Sequence, residues 1–470
     1  MPGHYRPADR AKPRPYVAPS RRTLLATALV RAAGPLYARA ALKLDSIEFK
    51  NPERLVAAFK DFQEGRSRLI LAFRHPYGDE PQLLSLVFDL LLGREARKLG
   101  LRLPRRPHAF FLHDYAVPLW SGALTRWILP RTGALPVYHV KFDGAGLKRI
   151  RGVLREGDCP IALAPEGQIS YRAETLPRIE SGTARLAFWC AEELERAGRS
   201  LPVVVLPISV HYRFEENGVG DVEALVAKVE KACGMARPSA AEPRAARSLS
   251  ARPRDRKERR RALKDRLVAL DLALLAHAES YYGISPSDGR LGRNQRHAAL
   301  LEAALAKGEG IFGLRPEGDR IARVYRIRQE AWDRIYPEKD PDSLSPLGRL
   351  LADRRAGEAW YAMRHMELVD LGHYLDSGYL EGRSGDGDPS FGRLVESAYS
   401  LADLAQRLVG GDIGTRPSIL RKKASVFIGE GLDLGARLPH YRKDSRAAIE
   451  GAMADLSRIF LNSIEEFPDD

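Results

Sequence analysis

Five short apolar runs punctuate the first half of this sequence: Leu69 to Phe73, Ala109 to Leu112, Leu135 to Tyr138, Ile161 to Ala164 and Val203 to Tyr212. Helix-patterned stretches such as Gly146 to Arg155 and Gly182 to Ala197 stand between them. Parallel strands need long crossovers, and a helix supplies that length, so strict alternation of this kind closes up as a parallel or mixed sheet flanked by helices. From about Asp45 to Tyr212 the chain therefore predicts an α/β domain, with its active groups where strands hand over to helices.

Two of those handovers carry chemistry. The first is Phe73-Arg74-His75-Pro76-Tyr77-Gly78-Asp79-Glu80-Pro81-Gln82, which leads into the helix-prone run Leu83 to Leu92. A histidine at a strand end, with two carboxylates opening the next helix, suits a general base and the partner that orients it. Either Glu80 or Asp79 fits as that partner. Asp79-Glu80-Pro81-Gln82 also has the form of a helix N-cap with Gln three residues later and Pro in the first turn, which gives Asp79 a purely structural reading. The second handover, Leu163-Ala164-Pro165-Glu166-Gly167-Gln168-Ile169-Ser170, follows another apolar run.

In order and flanks these two stretches resemble the glycerophospholipid acyltransferase family, whose bacterial members acylate lysophosphatidic acid. That family carries a His-x4-Asp motif and, later, a Phe-Pro-Glu-Gly-Thr-Arg-Ser motif. Gly133-Ala134-Leu135-Pro136-Val137 is similar to its second motif and Val203-Val204-Val205-Leu206-Pro207-Ile208 to its fourth. The resemblance covers about residues 50 to 215. It implies that His75 deprotonates an acceptor hydroxyl, oriented by Glu80, or by Asp79 if the longer Glu side chain does not fit. Glu166 and Gly167 would form a substrate-positioning turn, in which the carboxylate fixes the loop or a substrate hydroxyl. Two departures fall on groups that would bind the acceptor's phosphate. Ile169 replaces the arginine of the third motif, with Arg172 as a substitute, and Tyr138-His139-Val140-Lys141 replaces the arginine of the second, with Lys141 as a point charge. Acyl-CoA or acyl-carrier protein would be the donor, attacked directly without an acyl-enzyme, and neither metal nor cofactor is implied.

Around this domain the chain changes character. Residues 1–20 are rich in Pro, Arg and Lys and read as disordered. Residues 21–44 read as an amphipathic helical segment broken or kinked at Gly34-Pro35, fit either to lie in a lipid interface or to pack on the catalytic domain. The acyltransferase-like domain spans 45–235 and a basic linker 236–261. Beyond it, 262–470 shows helical spacing with few strand signals and predicts an all-helical domain.

A formal charge of +14 favours anionic partners. Cys159, Cys190 and Cys233 lie too far apart in sequence for a disulfide framework or a metal-ligand spacing. No run of about twenty apolar residues is present, so the expectation is a cytoplasmic protein peripheral on the inner face of a membrane. No Gly-x-Ser-x-Gly, Walker or His-Glu-x-x-His motif occurs, which leaves serine hydrolases, NTPases and zincins without support. The sequence thus predicts an acyltransferase acting on a lysophospholipid at an anionic membrane surface. The competing reading is a basic scaffold that binds nucleic acid or anionic lipid through Arg237 to Arg261.

Overall fold

The stretch Arg68–Phe73 is buried along its whole length, as befits a strand covered on both faces. In the computed structural model, which describes residues 10–14, 20–115, 117–138, 143–235, 253–285, 291–372, 375, 377–381, 388–411, 414 and 416–467, it lies mid-sheet. The strands are β1 (Leu44–Lys50), β2 (Arg68–Phe73), β3 (Phe110–Asp114), β4 (Leu135–Val137), β5 (Ile161–Leu163), β6 (Val203–Phe214), β7 (Lys422–Ile428) and β8 (Leu432–Asp433). Their order across the sheet is β1-β7-β6-β2-β5-β3-β4, with β8 pairing on β6. β2 is parallel to both β5 and β6, β3 to β4 and β5, and β1 to β7, while β8 runs antiparallel to β6. The sheet is mixed and mostly parallel, as the alternation predicts.

Side chains of β2 alternate between two cores. Leu69, Leu71 and Phe73 pack with Leu55, Val56 and Phe59 of the helix Pro52–Gln63 and with Leu83 and Leu84 of Glu80–Leu86. Ile70 and Ala72 face the other way, onto Ile150, Ala187, Phe188 and Phe460. Those four come from the helices Gly144–Glu156, Gly182–Arg196 and Ser445–Glu465. Arg68 anchors the arrangement by donating to the carbonyls of Val153 and Gly157 at 3.0 and 2.9 Å, at the end of the helix Gly144–Glu156.

The described residues form two compact units. One holds 20–213 together with 421–467; the other holds 10–14 and 214–420. The second unit is built on the helices Val219–Ala232, Pro253–Tyr282, Arg293–Phe312, Arg320–Ile335, Pro346–Gly372 and Phe391–Leu408; all but the first match the expected helical spacing, whereas Val219–Ala232 falls in the range of the expected 45–235 domain, whose first segment instead ends at residue 213.

Three expectations need correction. The helical domain expected over 262–470 ends near residue 420, because Lys422–Ile428 returns as a strand that pairs with β1. Its apolar part is only Val426, Phe427 and Ile428 after a basic start, and its partner lies far back in the sequence, so local patterning does not reveal it. Residues 10–14 of the expected disordered segment are seated instead: Ala11 is buried, its N–H donates to Asp353 Oδ1 at 2.8 Å, and the N–H of Lys12 donates to the Ile335 carbonyl at 2.8 Å. The helix Leu24–Ala40 runs through Pro35 without a break.

Candidate active site

His75 stands immediately past β2, where the backbone N–H of Arg74 still donates to Ile208 of β6 at 3.0 Å. The Arg74 side chain is fully buried and donates to the carbonyls of Ala173 and Thr175 at 2.8 and 2.6 Å, binding the 166–175 loop to the strand end. That loop grips His75 by its backbone. Glu166 Oε1 accepts from the His75 N–H at 3.1 Å and lies 3.7 Å from Arg74 Nε, while the Ser170 N–H donates to the His75 carbonyl at 3.0 Å. Burial raises the pKa of Glu166 above its ordinary value despite the opposing charge of Arg74.

The turn that follows brings Glu80 under the imidazole. Gly78 takes φ +88°, a conformation that favours glycine, and a Cβ there would also come within 3.0 Å of Ile169 Cδ1. Glu80 then opens the helix Glu80–Leu86 and collects four donors. Oε2 pairs with His75 Nδ1 at 2.8 Å and accepts from the Gly78 N–H at 3.0 Å; Oε1 accepts from the Tyr77 N–H at 3.2 Å and the Tyr212 hydroxyl at 2.8 Å. Burial opposes the carboxylate, yet the bonds from His75 and Tyr212 prevail and hold its pKa below the usual range. Burial likewise opposes an imidazolium, but Glu80, with Glu166 and Asp79 behind it, raises the His75 pKa above its ordinary 6.5. With Glu80 against Nδ1, the neutral ring carries its proton there and presents Nε2 as the acceptor. The His75 side chain is 18 % exposed and the Glu80 carboxylate not at all.

Of the two carboxylates left open by the sequence, Glu80 is the partner. Asp79 does not cap the helix. Its backbone is already helical, the next residue but one is Pro81, which has no N–H to offer, and its side chain makes no capping bond. It forms an ion pair with Lys422 of β7 instead. Burial raises the pKa of Asp79, against the pull of Lys422.

The remaining sequence candidates divide. Glu166 fixes the loop, since its side chain is wholly covered and engaged with His75 and Arg74. The amide of Gly167, at φ +70°, closes its own turn by donating to Ala164 at 3.2 Å. Arg172 is 9 % exposed, and its carbonyl faces Arg74 Nη2 at 3.4 Å. Lys141 lies outside the described residues. Sequence reasoning missed Arg74, Tyr212 and Lys422. Arg74 was detectable as a charge next to the motif histidine at the end of a buried strand; the other two join the site only through the sheet order.

A small pocket opens near the amino ends of β3 and β5, the opposite end of the sheet, lined by Arg22, Gln63, Arg105, Arg106, His108 and Cys159 among others. It is a poor candidate for chemistry. His108 is engaged at both nitrogens, with Asp89 at 3.3 Å and the Thr132 carbonyl at 2.8 Å, and burial pushes the Cys159 thiol up to about 12. Among the described residues, no group of three or more His, Cys, Asp or Glu is placed to hold a metal ion. Compared with protein-family models, curated proteins and solved structures, the chain matches none.

Proposed function

We propose that this protein is an acyltransferase, moving a fatty acyl group from an acyl-CoA or acyl-carrier-protein thioester to the hydroxyl of a lysophospholipid. The observation that carries the reading is the 2.8 Å contact of His75 Nδ1 with a buried carboxylate, which leaves Nε2 of a partly exposed side chain for a hydroxyl. On this reading Nε2 takes the hydroxyl proton, the alkoxide attacks the thioester carbonyl, and the thiol leaves with the proton as the carbonyl reforms. Glu80 stabilises the imidazolium that forms in between.

The surface beside the site suits a lipid-borne substrate, and we place the protein peripherally on the inner, cytoplasmic face of a membrane. Helix Leu24–Ala40 packs through its small residues Ala26, Thr27, Gly34 and Ala38 and turns Leu24, Leu25, Leu29, Leu36 and Tyr37 outward, with Leu25 77 % exposed. A Cβ on Gly34 would stand 2.1 Å from Leu86 Cδ2, so the helix lies directly on the one that begins with Glu80. Its neighbour Gly122–Arg131 adds exposed Leu124 and Trp127, and the Arg131 guanidinium covers the Trp127 ring at 4.8 Å. No Asp or Glu occurs from Arg10 to Leu44, whereas arginines recur. An apolar face with a basic rim favours an anionic lipid interface. No helix among the described residues is long and apolar enough to cross a membrane.

The scaffold reading rests on the run Arg237 to Arg261, and most basic side chains of its described part, 256–261, are paired within the second unit. Arg259 pairs with Glu223 at 2.6 Å, Lys257 with Asp388 at 2.8 Å, and Arg256 and Arg260 both with Glu216. Much of the charge on the described part of the basic run is thus neutralised within the unit, leaving less of it for phosphates.

The test is turnover of labelled acyl-CoA and acyl-carrier protein with a panel of lysophospholipids on anionic vesicles, wild type beside His75→Ala. Transfer that the variant loses while keeping its circular dichroism supports the proposal. Wild-type inactivity with every donor and acceptor overturns it.

A further inference from the structure

Lys422 opens β7, and its register opposite Leu44 places it in the sheet within reach of the first handover loop. The residue is 2 % exposed, and among the described residues its ammonium meets three groups. One is the Asp79 carboxylate; the others are the ring faces of Tyr77 and Tyr212, whose centroids lie 4.8 and 4.6 Å from Nζ. The two rings themselves meet edge to face at 4.7 Å. Each neighbour leads to the dyad. Tyr212 donates its hydroxyl to Glu80, the Tyr77 amide donates to Glu80, and Asp79 precedes Glu80 in the chain. A buried cation in contact with two aromatic faces and one carboxylate is a strong electrostatic anchor, and an unpaired charge in its place would be costly.

We propose that Lys422 is a positioning residue for the His75–Glu80 pair: it fixes the tyrosine that holds Glu80 and cancels the charge of the second carboxylate beside the imidazole. The reading of His75 as the base underlies the functional meaning of this role. Two carboxylates in adjacent positions would otherwise both act on the ring, and the base would be held too firmly in its protonated form. Lys422 offsets part of the Asp79 share of that influence. The charged and titratable groups around the pair all enter the balance. Glu166, with Arg74 behind it, faces His75 from the loop after β5; Asp79 faces Lys422, Glu80 and His75; Tyr37 of Leu24–Ala40 feels Asp79; and Tyr212 comes from β6. The segment supplying Lys422 enters the sheet after the whole helical unit, so the site is complete only when the end of the chain has returned to it.

The experiment follows the His75 ring by NMR titration of the full-length, histidine-labelled protein, comparing wild type with Lys422→Met, Lys422→Arg and Asp79→Asn. Lys422→Met leaves the Asp79 charge uncompensated and moves the His75 midpoint up by about 0.5 to 1 pH unit. Asp79→Asn removes that charge and moves the midpoint down, and Lys422→Arg keeps it near wild type. A residue that only filled space would give the reverse order for Met and Arg, since Met matches the lysine stem and Arg overfills it. Midpoints that ignore Asp79→Asn, or a Met variant that titrates like wild type, overturn the proposal. Should Lys422→Met fail to fold, the Asp79→Asn and Lys422→Arg titrations decide. The readout needs no turnover: midpoints that move as stated in a protein that transfers no acyl group would uphold the electrostatic role and sink the acyltransferase reading. Turnover with unmoved midpoints would do the opposite.

Discussion

The hydroxyl of Tyr212 donates to Glu80 Oε1 at 2.8 Å across 132 residues of sequence. Sheet register produces this meeting. Phe73, the last residue of β2, pairs with Ile208, and β6 runs on to Phe214, so Tyr212 overhangs the strand end where His75 begins the loop. The phenol is buried, and its pKa lies well above 10 because burial and the charges of Glu80 and Asp79 all oppose a phenolate. It acts as a donor only, and Glu80 is thereby held as an acceptor facing His75.

Tyr212→Phe removes that donor and leaves a buried carboxylate oxygen with one partner fewer. The expected cost is about 1–3 kcal/mol of folding stability, read as a shift in the urea midpoint at constant slope. A variant as stable as wild type would mean that Oε1 is satisfied without the phenol.

Glu80→Gln keeps the shape of the side chain and removes its charge. The imidazole then loses both its tautomer lock and the stabilisation of its protonated form, and kcat/KM for acyl transfer falls by roughly 10²- to 10⁴-fold. The loss belongs mainly in kcat, since Glu80 is enclosed and cannot touch substrate. A change confined to KM would count against the assigned role.

The pH dependence has a definite sign. A general base works unprotonated, and the His75 pKa lies above 6.5, because the Glu80 bond and charge outweigh the effect of burial. Activity is therefore lost on the acid side of a midpoint above 6.5, and Glu80→Gln moves that midpoint downward. Stability carries the same linkage: the His75 contribution is complete below pH 6.5 and disappears as pH rises through the folded pKa. A kcat/KM profile whose acid limb stays in place in Glu80→Gln would show that another group is titrating.

How far the sequence foretells this site depends on how local each contact is. The strand ends, His75 and the choice between two carboxylates are visible because each lies within one handover, and the alternation of runs implies their exposure at one edge of the sheet. Which carboxylate serves is decided by backbone conformation at Asp79 and by the missing N–H of Pro81, details that a capping pattern does not encode. Tyr212 and Lys422 are invisible for a different reason. Their roles follow from β6 outrunning β2 and from β7 inserting between β1 and β6, which are non-local pairings that no window of residues contains. The strand β7 was hidden by the same logic, with three basic residues preceding its apolar end.

The exposed leucines of Leu24–Ala40 give a further expectation. Leu25→Asp with Leu36→Asp places charges on the outward face and leaves the small-residue packing face intact, so the fold persists while partition onto anionic vesicles drops by tenfold or more, at about 2–3 kcal/mol or more of lost burial. Flotation with phosphatidylglycerol vesicles reads the effect. Raising salt weakens wild-type binding as well, since the arginine rim is screened. Unchanged flotation of the double variant would remove this face from consideration.

On the proposed acyltransferase reading, Ile169 is the position at which acceptor choice is tested. Its Cδ1 lies against Gly78, on the turn that carries His75 into Glu80, and the residue is only partly buried. At this position the resemblance described above would place a phosphate-binding arginine, and the other motif cation nearby, Arg172, is nearly covered. A long cation substituted here extends from a partly exposed position beside His75, where on this reading it meets an acceptor's phosphate. Ile169→Arg is therefore expected to raise kcat/KM for phosphate-monoester acceptors relative to acceptors lacking a phosphate, by roughly tenfold for one charge-assisted contact of about 1.5 kcal/mol. Competition between the two acceptor classes in one reaction measures the ratio directly, and high salt erodes the gain if charge is its cause. An unaltered ratio would mean that the acceptor headgroup approaches His75 from another side, leaving Ile169 as packing for the Gly78 turn.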